Sequence, residues 1–238
     1  MFAVCMKDTL PRFSSSTNLQ IIVANACDLT EAEKSACLEE GKLLDNSGDN
    51  ISALNPWWGE LTAVYWLLKN DSSPLIGNCQ YRRYWDEEAI AAADSSVLYT
   101  SEPCNFGCSL AQQFRGGHSF PGVEMTMDIA VKGKLPFTAA EMASIWQQHR
   151  FQGGPMLFGP RASYECMMNV LFDCLWPVWD EYKEQIMTLE GYDKRAMAFL
   201  SERFLSGIVL YKEKFFGNMP MGRAPLLCTT RNSLVTCQ

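Results

Sequence analysis

The sequence predicts an α/β protein: one domain around a mostly parallel central sheet flanked by helices, with a helix-rich C-terminal half. Three observations carry this reading. Short apolar runs with β-branched or aromatic members alternate with a helical stripe over residues 2–99, in strand, helix, strand order. Residues 138–212 then carry three stripes at helical spacing. The chain has 238 residues, 47% of them hydrophobic, enough for a substantial core that needs no disulfide staples.

Taken in order, residues 2–6 and 21–24 predict buried strands. The Glu-rich segment 28–44 suits a short helix, and the Asp, Asn, Ser and Gly of residues 45–52 mark a loop. Asn55-Pro56 predicts a helix start, with Asn55 as N-cap and Pro56 at the first helical position, where its missing N–H sacrifices nothing. Trp57, Leu61, Val64 and Leu68 continue the stripe to Lys69. Strands follow from Leu75 and over 97–99. Residues 101–122, with Gly107, Gly116, Gly117 and Gly122, read as a long lid or binding loop. Thr138 and Glu141 form a capping box ahead of Met142, Ile145, Trp146 and His149, which makes His149 a core-edge residue. Pro160 opens a long helix carrying Cys166, Val170, Cys174, Val178 and Tyr182, in which Pro177 predicts a kink. A last helix over 193–212 aligns Met197, Leu200, Phe204, Ile208 and Tyr211, and the tail around Pro220 and Pro225 reads as irregular surface chain.

Composition excludes several functions. Twenty Lys and Arg against 27 Asp and Glu give a net charge of −7, which disfavours a non-specific nucleic-acid binder. No apolar stretch approaches the ~20 residues of a membrane span. The first ten residues lack the pattern of a secretory signal, so the expected location is cytoplasmic, or peripheral at the inner face of a membrane. In that compartment the ten cysteines should stay reduced and act mostly as buried small hydrophobes. Cys104, Cys108 and His118 form the one cluster resembling a metal site, but not at zinc-knuckle spacing. There is no P-loop, no Gly-x-Gly-x-x-Gly, no Gly-x-Ser-x-Gly and no His-Glu-x-x-His.

Two segments carry the chemistry. Glu60 lies at the edge of the stripe over 57–68, where a carboxylate wants a partner. Arg82 and Arg83 are adjacent, so on a strand they point to opposite faces: one can pair with Glu60 while the other projects at the carboxyl end of the sheet, where open α/β sheets bind ligands.

The strings Gly48-Asp-Asn-Ile-Ser52, Asn55-Pro-Trp-Trp-Gly-Glu-Leu-Thr-Ala-Val-Tyr-Trp66 and Ile76-Gly-Asn-Cys-Gln-Tyr-Arg-Arg-Tyr-Trp85 resemble a bacterial glycosyltransferase-like domain of capsular and exopolysaccharide biosynthesis clusters. Members carry Gly-Asp-Asn-Ile-Ser, Asn-Pro-Tyr-Tyr-Cys-Glu-Leu-Thr-Gly-Leu-Tyr-Trp and Gly-Leu-Cys-His-Tyr-Arg-Arg-Tyr-Phe. Residues 192–204, with Arg195 and Phe199-Leu-Ser-Glu-Arg203, look like the family's closing Arg-x-x-x-Phe-Leu-Ser-Glu-Arg helix. The matches run in order from about residue 45 to 210, while 104–152 matches poorly.

The resemblance implies a single GT-A-like domain, residues 1–238, with a nucleotide-sugar-binding half over 1–100 and an acceptor-side loop and helices over 101–238. It implies transfer of a hexosyl or pentosyl group from a nucleotide sugar, most simply a UDP-sugar, to a surface polysaccharide or other glycan. The same chemistry on a hydroxymethylated base of phage DNA, and a non-catalytic binding module of the same fold, are the alternatives; nucleic acid enters only as such a modified acceptor. Asp49, Asn50, Glu60, Gln80, Tyr81, Arg82, Arg83 and Tyr84 are the implied donor-binding residues, with Asp49 and Asn50 as ribose or base contacts. Met156, Glu202 and Arg203 are placed on the acceptor side, with Glu202 as a partner for Arg195 or Arg203. Asp128 or Glu124, taken to lie in a loop over 122–128, and His118 are the candidates for proton transfer. Such enzymes usually use Mg2+ or Mn2+ held by Asp-x-Asp, which this chain lacks. Asp86-Glu87-Glu88 is the nearest substitute and reads better as a helix start. No metal ligand is therefore assigned, and an arginine fork at Arg82 or Arg83 is expected to neutralise the diphosphate. Gln80 stands where the family has His, which removes a proton-transfer group and keeps a hydrogen-bonding one.

Overall fold

The computed structural model describes residues 1–6, 19–229 and 234–236. Residues 7–10 of the segment read for a secretory signal, and Cys237, lie outside the described residues. Two compact units form: residues 1–102, 156–165 and 219–238 make the first, and 103–155 and 166–218 the second.

The first unit is built on a sheet whose parallel core comes from β1 (Phe2–Cys5), β2 (Gln20–Val23), β3 (Leu43–Leu44) and β4 (Leu75–Gln80), ordered β4-β1-β2-β3. Val4 lies opposite Gln80, Cys5 opposite Val23 and Val23 opposite Leu44, so all four carboxyl ends share one edge. The order continues from β4 through β9 (Leu157–Pro160), antiparallel to both its neighbours, to β6 (Leu98–Ser101) and β10 (Met221–Ala224), which are mutually parallel. β5 (Arg83–Trp85) folds back from β4 and pairs with β11 (Leu226–Thr229), itself paired with β12 (Leu234–Thr236). The sheet is thus mostly parallel along its main path and flanked by α1 (Glu31–Glu39), α2 (Asn55–Trp58), α3 (Leu61–Asn70) and α4 (Glu87–Ala91). Thr30 and Glu33 close a reciprocal capping box at the start of α1.

The stripe over 57–68 is two helices rather than one. Gly59 adopts φ 54° and ψ −135°, a conformation closed to side-chain-bearing residues, and breaks the stripe between α2 and α3. Asn55 is not an N-cap: its Nδ2 donates forward to Gly59 O at 2.8 Å and Thr62 Oγ1 at 3.0 Å, stitching the two helices together. The tail is a second correction. Residues 221–229 form strands because β6 and β5 offer unpaired edges, a cue that lies elsewhere in the chain.

The second unit holds the antiparallel pair β7 (Cys104–Asn105) and β8 (Arg150–Phe151) with helices α5 (Leu110–Gly117), α6 (Gly122–Val131) and α7 (Ala139–Gln147). It also contains most of α8 (Arg161–Met187), α9 (Ala196–Leu210) and α10 (Lys212–Phe216). Residues 101–122 are therefore not one long loop: Ser109 and Gln112 form a capping box that starts α5 despite the glycines at its end. The Thr138–Glu141 box and the helix start after Pro160 stand as the sequence implies, with Pro177 inside α8. Among the described residues eight cysteines are free, whereas Cys228 is disulfide-bonded, against the expectation that all stay reduced. Among the described residues no helix is long and apolar enough to cross a membrane.

One buried side chain joins the carboxyl edge of the first unit to its helices. Asp45, fully buried just after β3, accepts from Asn25 N (3.1 Å) and Ala26 N (2.9 Å) after β2, from Ser52 Oγ (2.5 Å), and from Thr62 Oγ1 (2.6 Å) on α3. Four donors on two oxygens satisfy a group that would be costly to bury alone. Asp45→Ala leaves two backbone and two hydroxyl donors without this acceptor, and we expect urea unfolding to register a loss of about 3 kcal/mol or more. A loss below about 1 kcal/mol would show that the carboxylate is not what holds this edge.

Candidate functional site

The shared carboxyl edge of the parallel strands is where an open α/β sheet presents ligand-binding groups. β4 delivers Gln80 to that edge, and Tyr81 N still donates to Val4 O at 3.1 Å, so the chain leaves the sheet only at the turn of Tyr81 and Arg82. α3 begins at the same edge, with Glu60 at its N-cap position. Gln80 Nε2 donates to Glu60 Oε1 at 2.7 Å. Glu60 thus takes Gln80, not an arginine, as its partner. The expectation of arginines on opposite strand faces fails for a geometric reason: Arg82 sits in the turn, and only Arg83 begins β5.

The turn is braced from below. Tyr84, 2% exposed, donates its hydroxyl to Tyr81 O, and Trp85 Nε1 donates to Asn78 O at 2.9 Å. Arg82 is exposed and lays its guanidinium 4.8 Å from the centre of the Tyr81 ring, a contact that orients the planar fork. Arg83 is half-buried beside it. Glu60, Gln80, Tyr81, Arg82 and Arg83 are therefore brought together, with Tyr84 as their support.

Asp49 and Asn50 are not part of this group. Asn70 Oδ1 accepts from Asp49 N at 3.1 Å while Asn70 Nδ2 donates to Asp49 O at 2.8 Å, which pins the loop at the far end of α3 from Glu60. Ten helical residues separate the two ends by about 15 Å. Asn50 is used within the loop, donating to Gly48 O and accepting from Ser52 N. Gly48, at φ 56°, has no room for a side chain: a Cβ there would lie 2.0 Å from Asn70 Oδ1. The Gly-Asp-Asn-Ile-Ser string is thus explained by the loop it folds. Asn70 and Tyr65, whose hydroxyl reaches Asp49 Oδ1 at 3.3 Å, carry no local pattern that would have singled them out.

Met156 is fully buried among Ala3, Cys79, Trp85 and Phe158 and presents no surface to an acceptor. Asp86 caps α4 by accepting from Glu88 N at 3.1 Å, as a helix-start residue does. Among the described residues no group of three or more His, Cys, Asp or Glu side chains converges as a self-contained metal site would.

In the second unit, Glu124 and Asp128 lie on α6 and not in a loop. Arg115 Nη2 binds Glu124 at 2.7 Å, and that hydrogen bond holds the Glu124 carboxyl below its ordinary range. Lys132 at 2.6 Å, then the Tyr182 hydroxyl at 2.6 Å, do the same for Asp128. Carboxylates held down in this way are weak proton acceptors. Glu202 pairs with Arg203 at 2.9 Å, and Arg203 is buried between the rings of Phe114 and Phe151, at 5.0 and 4.7 Å.

His118 is the C-cap of α5 and only 4% of its side chain is exposed. Its Nδ1 meets Asp193 Oδ1 at 2.9 Å, while Asp193 Oδ2 accepts from Ser119 N at 2.8 Å and from the Ser119 hydroxyl. Burial pushes the His118 pKa down, the Asp193 hydrogen bond opposes this, and the Arg203 charge lowers it again. A histidine with a lowered folded-state pKa binds protons more readily when unfolded, so its contribution is complete above about 6.5 and is lost as pH falls. Thermal unfolding of the chain should show a fall in Tm from pH 7.5 to 5.5 that is reduced in His118→Gln; an equal fall in both proteins would remove His118 as the cause.

Comparison with known proteins fits this architecture. A family model described as a domain of unknown function, DUF4422, matches residues 12–106. Nothing among curated proteins matches the chain. A solved structure described as the apo form of WbbM, a bifunctional glycosyltransferase, is similar at a TM-score of 0.72 and 16% identity, over 98% of this chain and 45% of that one. The chain thus spans a little under half the length of the solved protein it matches, and its fold is glycosyltransferase-like.

Proposed function

We propose that the chain is a glycosyltransferase that moves a sugar from a nucleotide donor, a UDP-sugar, to a glycan acceptor of surface-polysaccharide type. The observation that carries this reading is the grouping of the Arg82 and Arg83 turn with the Glu60–Gln80 pair at the carboxyl edge of the parallel strands. A departing nucleoside diphosphate concentrates negative charge, and fixed guanidinium groups stabilise it as it develops. The planar fork of Arg82, stacked on Tyr81, suits phosphate oxygens. Glu60, held by a neutral amide, suits the hydroxyls of the donor sugar, which donate to a carboxylate. In this reading the arginines, rather than a metal, neutralise the leaving diphosphate.

The binding of UDP, followed by titration calorimetry with and without Mn2+, tests the reading. Wild type should bind UDP without metal, and Arg82→Ala or Arg83→Ala should weaken binding by tenfold or more, in line with loss of a charge-assisted bidentate contact. Absence of nucleotide binding under every condition would sink the donor site and leave a non-catalytic module. Binding abolished by chelation and restored by Mn2+ would overturn the arginine account specifically.

A further inference from the structure

Tyr192 is 70% exposed and packs against two aromatic neighbours. It stands on the short 3-10 turn Gly191–Arg195, and the next residue, Asp193, clamps that turn to His118 and Ser119 by the bonds described above. Behind Tyr192 the His118 ring lies parallel to it, at 3° and 5.8 Å between centres, and Phe199 approaches at 4.6 Å. His118 and Phe199 are themselves in contact at 4.3 Å. The tyrosine ring is therefore flanked by aromatic groups while most of its surface stays exposed.

Polar groups adjoin it. Phe199, Glu202 and Arg203 occupy positions i, i+3 and i+4 of α9 and share a face of that helix. Arg203 lies within electrostatic range of Tyr192 and binds Glu202 at 2.9 Å, which fixes the orientation of a carboxylate whose side chain keeps 18% exposure. A single exposed aromatic is ordinary on a protein surface. A largely exposed aromatic ring flanked by aromatic neighbours, with a carboxylate three residues after Phe199 on the adjoining helix, offers what recognition of an amphipathic ring requires: stacking on an apolar face and acceptance of hydroxyl protons at its rim. Pre-seating the ring also removes the entropy cost of ordering it on binding.

We propose that Tyr192 is the stacking platform of a carbohydrate subsite in the second unit, taking the C–H face of a neutral pyranose with Glu202 accepting from its hydroxyls, and that this pyranose belongs to the glycan acceptor. The last clause rests on the transferase reading above; the subsite itself does not. A nucleobase also has a flat face, but it lacks vicinal hydroxyl donors to suit Glu202.

Saturation-transfer NMR with methyl β-D-galactopyranoside and methyl β-D-glucopyranoside as probes tests this on the whole chain. Wild type should transfer saturation to the ring C–H protons of at least one probe. Tyr192→Trp should retain the signal and Tyr192→Ala should reduce it at least fivefold, with Glu202→Gln in between. Because Tyr192 is largely exposed, Tyr192→Ala should keep the melting temperature of wild type within a few degrees, and Tyr192→Phe, which keeps the ring, provides a second variant that should retain binding. The pyranoside signal should also survive in Arg82→Ala, so loss of UDP binding and loss of pyranoside binding report on separate readings. Equal signals in wild type and Tyr192→Ala, no signal from either probe in any variant, or displacement of the probes by UDP alone would each overturn the subsite.

Discussion

The carboxylate of Asp45 organises the carboxyl edge of the parallel sheet. It gathers the chain leaving β2, the hydroxyl of Ser52 and the first turn of α3, three segments separated in sequence. Thr62, which it holds, lies two residues after Glu60, and Asn55 ties the same hydroxyl to the helix before the break. The position of Glu60 relative to Gln80 is thus inherited from Asp45: fix Thr62 and the start of α3 is fixed with it. A loop built only from turn propensities would have no reason to present a carboxylate 2.7 Å from the end of the neighbouring strand. The buried acid converts a flexible connection into a scaffold, which is the usual condition for a binding group on a loop to act with precision.

Legibility in the sequence follows the range of the interaction that decides each feature. Capping boxes are local, so the Thr138–Glu141 start and the helix after Pro160 are readable from a few residues. The break at Gly59 is not, because the apolar stripe runs through it in step and only the backbone twist of one glycine separates the two helices. The helix Leu110–Gly117 was obscured by its own terminal glycines, although Ser109 and Gln112 carried its signal. Strands over 221–229 depend on edges provided by β5 and β6, and no reading of the tail alone contains that information.

The same distinction divides the two strings that looked equally functional. Gly-Asp-Asn-Ile-Ser is used up by the fold: Gly48 for space, Asn50 for its own turn, Ser52 for Asp45. In Gln-Tyr-Arg-Arg-Tyr the buried second tyrosine holds the turn, and the residues before it stay exposed or half-buried. Sequence spacing pairs Glu60 with an arginine, whereas its partner is Gln80; alternation of faces applies to residues on a strand, and Arg82 is in a turn. Asp193 and Tyr192, by contrast, sit on a short turn whose meaning is set by His118, 75 residues away from Asp193 along the chain.

An amide rather than an imidazole at residue 80 has a defined physical consequence at this edge. An imidazole in that position would donate to Glu60 through whichever nitrogen carries a proton, and its charge would change near neutral pH, so the orientation and the field of the carboxylate would both vary with acidity. The amide of Gln80 donates through an N–H that does not titrate. Glu60 therefore has a partner whose protonation does not change across the neutral range and which cannot itself pass it a proton. That arrangement suits a carboxylate whose task is to hold hydroxyls in place, and it is ill-suited to a proton relay; the proton-transfer step of any glycosyl transfer at this edge has to be assigned to a group other than residue 80.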